Sequence, residues 1–417
     1  MNKTLDTRLE LYLYISRILF ESGATVSKIQ NSLSKLKTYF EDFDVHVAIS
    51  YESIIVSRNN RGLYETKVSR KRLIALLNLS TLEAIHCAID TAIQNKADEH
   101  EIRKLLLSLK REQKQSSSLI LYSAYMCAAM GFAILNGANF FGLLVTLPAA
   151  LVLTLLRSYL AKRKSSYFAS LFWSAGVATL IATLLAKFIP TGCSLIAILA
   201  ILLPLVPGFS IITSGLDIFS NNNSVGLGRA TFALFTLWIL CLCMIIPLAL
   251  FPQEFATPAL HLESHLGLIF SEGIFAGIAS LSLGVLFRCP RRLFLWIFIG
   301  GVIARCVRTS LLSYYHLPLP LAALIGAMVI SLLIFFLSTK LKVSASTFSL
   351  ICVLPMIPGY LILHGFEILF LMLNDSFTLP LVLSCLELFS NAFFTLLALV
   401  SGILFPLMLL QRKHHKL

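Results

Sequence analysis

Two short phrases in apolar surroundings carry the chemistry most directly: Pro204-Leu-Val-Pro-Gly208 and Pro355-Met-Ile-Pro-Gly359, 151 residues apart. Proline removes a backbone donor and glycine frees the torsions, so each phrase should break a helix. At membrane depth a broken helix is tolerated only where it is buried in protein or lines a cavity. Matching breaks in two halves of a chain point to a transporter's substrate site. Half-helix N-termini at Pro204, Pro207, Gly208, Pro355, Pro358 and Gly359 could meet a substrate carboxylate, and freed carbonyls could meet an ammonium group. A zwitterionic amino acid needs both. The alternative is a pair of kinks that serve packing alone.

Four acids lie in or near apolar segments: Asp217, Glu272, Glu367 and Glu387. A carboxylate at the bilayer centre costs at least about 2.5 kcal/mol on insertion scales, so such acids point to proton coupling or to capture of an ammonium group. Asp217 and Glu367 follow their breaks by nine and eight residues and are near-equivalents. The alternative for Asp217 is a helix-end carboxylate paired with Arg229. His364, six residues after Pro358, could titrate near neutral pH or be a packed, hydrogen-bonded histidine. Arg229, Arg305 and Arg308 could hold an anionic substrate by bidentate pairing, or snorkel to the interface, the reading preferred for Arg305. His261 and His265 have a spacing that on a helix can bind metal, but an ordinary loop explains them. Gly208-Phe-Ser210 lacks the following glycine and the placed histidine of an intramembrane serine nucleophile. In the first hundred residues, His46, Glu52, Glu83, His86 and Asp90 form no metal or triad spacing, and His86 with Asp90 reads as a surface pair one helical turn apart. No cofactor or metal is expected.

The elements that must position these groups are mostly membrane spans. The chain has 417 residues, 57% apolar and 13% charged, with a mean hydropathy of +0.83, the profile of a multispanning membrane protein. Fourteen of its 21 acids precede Leu119, so a charged soluble part is joined to a membrane part. The +13 net charge sits largely in short loops, where it sets topology rather than binding nucleic acid. The start carries Asp6, Arg8, Glu10, Arg17 and Glu21 among its apolar positions, an amphipathic helix rather than a signal peptide. The nine cysteines read as small buried apolar residues.

Residues 1–118 are expected to form a small α/β domain: helices near 4–21 and 27–40, strands near 45–49, 54–56 and 64–68, a helix opened by a Ser80-x-x-Glu83 capping box, and a charged helix over 98–115. Ten apolar spans follow, near 119–137, 140–156, 167–187, 194–213, 230–250, 266–287, 293–309, 319–338, 348–372 and 379–410. Lys and Arg cluster after spans 2, 6, 8 and 10, whereas Phe251 to Leu266 has neither, which places both termini in the cytoplasm. The breaks fall in spans 4 and 9. Five spans is an odd number, so the second copy crosses in the opposite direction, giving an inverted 5+5 repeat with halves 119–265 and 266–417. Leu156-Arg157-Ser-Tyr-Leu160 against Val307-Arg308-Thr-Ser-Leu311 keeps the same offset.

Leu19-Phe-Glu-Ser-Gly-Ala24, then Pro207-Gly208, Asp217 and Gly226-x-x-Arg229, then Pro355-Met-Ile-Pro-Gly359-Tyr360 together resemble the threonine/serine exporter family in its fused form, over almost the whole chain. Thr25 and Val26 stand where the family often carries an acid. The resemblance implies export of threonine or serine; relatives split into two subunits are linked to succinate export. The expectation is a polytopic α-helical exporter in the cell membrane, driven by proton antiport, since no phosphate-binding G-x-x-x-x-G-K-[ST] loop is present. The partners expected are a small zwitterionic or carboxylate metabolite, protons and the lipid bilayer, with a homo-oligomer left open. The substrate-binding set is Pro204, Pro207, Gly208, Arg229, Pro355, Pro358 and Gly359. The proton-coupling set is Asp217, Glu272, His364, Glu367 and Glu387. A dicarboxylate exporter is the alternative substrate reading. A membrane-embedded enzyme or a non-transporting scaffold is the rival from another class.

Overall fold

A computed structural model describes residues 2–60, 63–70, 77–111, 117–189, 191–251, 265–341, 343–375 and 378–414. The N-terminal elements are α1 (Asn2–Glu21), α2 (Val26–Phe40), strands β1 (Val45–Ile49), β2 (Ser53–Asn60) and β3 (Leu63–Arg70), then α3 (Leu79–Gln94) and α4 (Glu99–Arg111). Leu9, Tyr12, Ile15 and Leu19 recur at helical spacing and are buried, facing the buried Ile29, Leu33 and Leu36 of α2. The strands form an antiparallel sheet in the order β1-β2-β3, with Val47 opposite Val56 and Val56 opposite Lys67. Asp42 is buried between α2 and β1, and Tyr12 Oη, Arg8 and Arg58 converge on it.

Helix α3 begins differently from the capping-box expectation. Asn78 is the cap, its side chain accepting the Thr81 amide at 3.1 Å. Glu83 is drawn instead into a buried contact with the Ser344 amide and Lys28. His86 is also not a surface residue paired with Asp90. Its Nδ1 lies 2.9 Å from Ser32 Oγ, and Asp90 pairs with Lys35.

The apolar helices are α5 (Ser118–Leu135), α6 (Phe140–Lys162), α7 (Tyr167–Phe188), α8 (Ser194–Leu202), α9 (Gly208–Phe219), α10 (Asn223–Leu250), α11 (His265–Leu286), α12 (Phe294–Tyr315), α13 (Leu319–Leu341), α14 (Ala345–Val353), α15 (Gly359–Asp375) and α16 (Leu379–His414). Among the described residues, eight are long and apolar enough to cross a membrane. The two bent pairs, Ser194–Leu205 with Gly208–Phe219 and Ala345–Met356 with Gly359–Met372, bring the number to ten if each is one span. The seventh span, expected to be short, runs to Tyr315. Outward faces carry exposed Leu234, Phe235, Trp238, Phe270, Phe336 and Phe394, as lipid contact requires.

The packing has two parallel sets. Helix α5 lies against α11 at the centre. Around it, α6 packs on α7, α7 on α10, and α9 on α10, while α12 packs on α13, α13 on α16, and α15 on α16. Helix α8 is enclosed by α5, α6 and α7, and α14 by α11, α12 and α13. The bent pairs are therefore the interior elements of the bundle.

Candidate functional site

Each break has the same construction, atom by atom. A single turn of 3-10 helix, Leu203–Leu205 or Leu354–Met356, ends the first half-helix. The Val206 amide then donates to Leu203 O and the Ile357 amide to Leu354 O, at 3.2 and 3.1 Å. A tighter turn follows, with the Gly208 amide to Val206 O at 2.7 Å and the Gly359 amide to Ile357 O at 2.8 Å. The second half-helix starts with Ile211 donating to Pro207 O and Ile362 to Pro358 O. Carbonyls just before each break also receive donors from the central helices: Tyr125 Oη donates to Ile201 O at 2.7 Å and Ser280 Oγ to Cys352 O at 3.4 Å. This is how buried broken helices stay satisfied.

The two breaks touch. A Cβ on Gly208 would run into Ile357 Cδ1, and one on Gly359 would lie 3.1 Å from Leu203 Cδ2 and 3.3 Å from Val206 Cγ2. The missing Cβ at each glycine lets the two breaks approach closely, more tightly at Gly208 than at Gly359. Pro204, Val206, Gly208, Ile357 and Gly359 line a small gap of about 30 Å³ between them. A larger cavity of about 100 Å³ opens beside the second break, against Leu203 of the first. Its walls include Pro355, Pro358, Tyr360, Arg305, Arg308 and Thr395.

The expected site residues divide into three groups. The first belongs to the breaks: Pro204, Gly208 and Gly359 border the gap, and Pro355 and Pro358 border the cavity. Pro207 caps α9.

The second group, Asp217 and Arg229, is turned the other way. Asp217 is fully enclosed, its Oδ2 3.3 Å from Arg229 Nε and its Oδ1 accepting the Val26 amide at 2.9 Å. Arg229 Nη2 donates to Ala24 O at 2.6 Å, and its guanidinium lies over the Phe20 ring. The chain can enter this contact because Gly23 takes φ +99° there, where a side chain would be strained. Arg229 lines neither cavity and is occupied by Asp217 and Ala24. Further contacts seat the N-terminal elements on the bundle: Leu79 and Ser80 amides donate to Phe287 O and Arg288 O, and Lys28 Nζ to Thr347 Oγ1.

The third group is dispersed. Glu367 is buried with His364 Nδ1 2.7 Å from its Oε2, and the His364 ring lies 5.5 Å from Tyr360. Glu272 binds Arg305 Nε at 2.8 Å and accepts the Thr309 hydroxyl. Arg305 is consequently buried, not snorkelling to an interface as its position suggested. Glu387 is exposed on α16, away from both cavities. His265 opens α11 with its ring against Tyr314, and His261 lies outside the described residues.

Sequence reasoning named Arg308 without placing it at the site and missed Thr395 altogether. A cation in an apolar span was a visible signal; a threonine among the polar residues of α16 was not.

Among the N-terminal elements, burial lowers the Lys28 ammonium to about 8, against the opposing pull of Glu83. Burial, with Lys28 and Lys35 nearby, lowers the His86 imidazole to about 3.

A threonine/serine exporter family model matches residues 10–251, and a second threonine/serine exporter model, ThrE, matches residues 272–409. A Klebsiella aerogenes protein named as a probable succinate transporter subunit, YjjP, is 26% identical over 237 residues, covering 56% of this chain and 88% of its own length. No solved structure matches.

Proposed function

The chain belongs to the threonine/serine exporter family, and from that premise we propose that it exports a small carboxylate-bearing metabolite by alternating access at the paired breaks. The observation that carries this reading is the reciprocal contact of the two breaks beside a polar-lined cavity. Gly208 meets Ile357 and Gly359 meets Val206, and each partner is the other's equivalent at an offset of 151. A two-fold relation between halves produces such reciprocity. With the matched packing sets, it supports an inverted repeat of 119–265 and 266–417.

Threonine or serine is the substrate the family points to. A dicarboxylate is the second reading, favoured by the arginines in the cavity wall and by the relative named for succinate. Residues 1–118 act as a cytoplasmic cap held to the bundle by Asp217, Arg229 and the α3 contacts, and both termini face the cytoplasm. The buried Glu367, with the partly exposed His364 against it, is the proton-handling group. One proton entering under 100 mV contributes about 2.3 kcal/mol, enough for a roughly fiftyfold gradient of a neutral solute.

The test is counterflow in proteoliposomes bearing the full chain and loaded in turn with threonine, serine and succinate, with an internal pH dye. Exchange of one solute coupled to proton movement is expected. Failure of all three, from protein that remains folded, refutes the reading.

A further inference from the structure

We propose that the cavity beside the second break is a carboxylate-binding site anchored by Arg308, and that it accepts a small dicarboxylate in preference to a zwitterionic amino acid. The proposal rests on the transport reading and names the substrate class of that site.

Two guanidinium groups line this cavity, and they are in different states. Arg305 is committed to Glu272, at 2.8 Å. Arg308 stands one helical turn further along α12, and its Nε is enclosed with no hydrogen-bond partner among the described residues. Summing the cluster, two arginines against one glutamate leave one positive charge uncompensated at the cavity wall. A cation whose Nε is enclosed without a partner is costly, and intramembrane cations mark substrate pathways.

A second, independent observation points into the same space. The hydroxyl of Thr395, on α16 across the cavity, is fully buried and also lacks a partner among the described residues. Buried polar groups are satisfied in the great majority of cases, so two orphans bordering one cavity mark a place where a ligand supplies the missing partners. Arg308 can offer paired N–H groups to one carboxylate, and Thr395 can donate to another oxygen.

The lining also selects. It contains two guanidinium groups and no Asp or Glu among the described residues. An ammonium group brought there meets like charge and no counterion, whereas a second carboxylate meets favourable potential. The cavity is small, about 100 Å³, which suits a short acid and not a long-chain one. The cavity is bounded by Leu203 from the first break and by Met356, Ile357 and Pro358 from the second. A bound anion therefore touches the moving parts of both halves.

The experiment is thermal unfolding of the purified full chain in detergent, with sodium succinate, threonine or sodium chloride at matched ionic strength, for wild type, Arg308→Gln, Arg308→Lys and Thr395→Val. Succinate is expected to raise the wild-type midpoint and threonine to raise it less. Without ligand, Arg308→Gln should melt at or above the wild-type temperature, because it removes an unpaired charge. Its succinate affinity should fall about 10- to 100-fold, the range of a lost charged hydrogen-bond partner. Arg308→Lys should keep part of the affinity, and Thr395→Val should lose up to about tenfold. The proposal is overturned if succinate does not stabilise wild type, if Arg308→Gln binds it equally, or if threonine outcompetes it. Counterflow separates this from the transport reading: stabilisation lost in Arg308→Gln, with no exchange by wild type, leaves the site standing and removes the transporter. Threonine exchange indifferent to Arg308→Gln does the reverse.

Discussion

Asp217→Asn tests whether the Asp217–Arg229 pair is a structural latch or a proton carrier. Both side chains are deeply enclosed, 0% and 8% exposed, and their separation is 3.3 Å. Removing one member of a buried ion pair strands the other charge and costs about 3–5 kcal/mol. Two features move the expectation to the low end. Asparagine keeps an oxygen for the Val26 amide, and Arg229 keeps its bond to Ala24 O and its place over Phe20. A loss of about 3 kcal/mol is therefore expected, measured by denaturant titration of the full chain in mixed micelles. Arg229→Met should cost a similar amount, and the double variant should recover at least about 1.5 kcal/mol of the summed losses, since contacting residues are not additive. The N-terminal part should also become more sensitive to protease in Asp217→Asn, because Gly23 to Val26 lose their anchor. A loss below about 1 kcal/mol with additive variants would refute the latch. A flattened pH dependence of exchange at unchanged stability would assign Asp217 to proton transfer.

Other expectations follow from the same geometry. Gly208→Ala drives a methyl into Ile357 Cδ1 and should destabilise by about 1–3 kcal/mol, with Ile357→Ala restoring part of the loss. Gly359→Ala, meeting atoms at 3.1 and 3.3 Å, should cost less; the reverse ranking in the same unfolding assay would contradict the contact. His86 stays neutral in the fold down to about pH 3, whereas the unfolded side chain protonates near 6.5. The unfolded state then binds more protons between those values, so stability should fall as pH drops through that window, by at most about 1.4 kcal/mol per unit. Denaturation of His86→Gln at pH 7 and pH 5 should show a smaller difference than wild type, and an equal difference would remove His86 from the acid response.

Proline and glycine act on their own backbone, which is why the breaks are legible in the residues themselves. The sequences Pro204 to Gly208 and Pro355 to Gly359 state their missing donors outright, and hydropathy places most span edges within a few residues of the helices. Charge partners are a different matter, because pairing is decided by tertiary contact. Asp217 finds the Val26 amide across 191 residues, and Arg305 finds Glu272 across 33. Local patterns also mislead where a distant group competes. Ser80 and Glu83 have the spacing of a capping box, but Asn78 already caps the helix and Glu83 is better placed against Ser344 and Lys28. His86 and Asp90 share a helix face, yet packing against α2 hides the histidine beside Ser32 and leaves Asp90 to Lys35.

The latch and the cavity are connected by one short lever. Helix α9 begins at Gly208, packed on Ile357, and carries Asp217 nine residues later, roughly 14 Å along its axis. Ile357 forms part of the cavity wall and also the contact surface of Gly208. On the proposed reading an anion at Arg308 bears on Met356 to Pro358, and a shift of Ile357 bears in turn on Gly208, against which its Cδ1 packs. Packed interiors transmit such shifts rather than absorbing them. The displacement then runs down α9 to the carboxylate that holds Ala24 and Val26 through Arg229 and its own oxygen. On the proposed reading, occupancy of the cavity and attachment of the N-terminal elements are coupled reciprocally: loosening the Asp217–Arg229 contact with Asp217→Asn should change succinate affinity at Arg308.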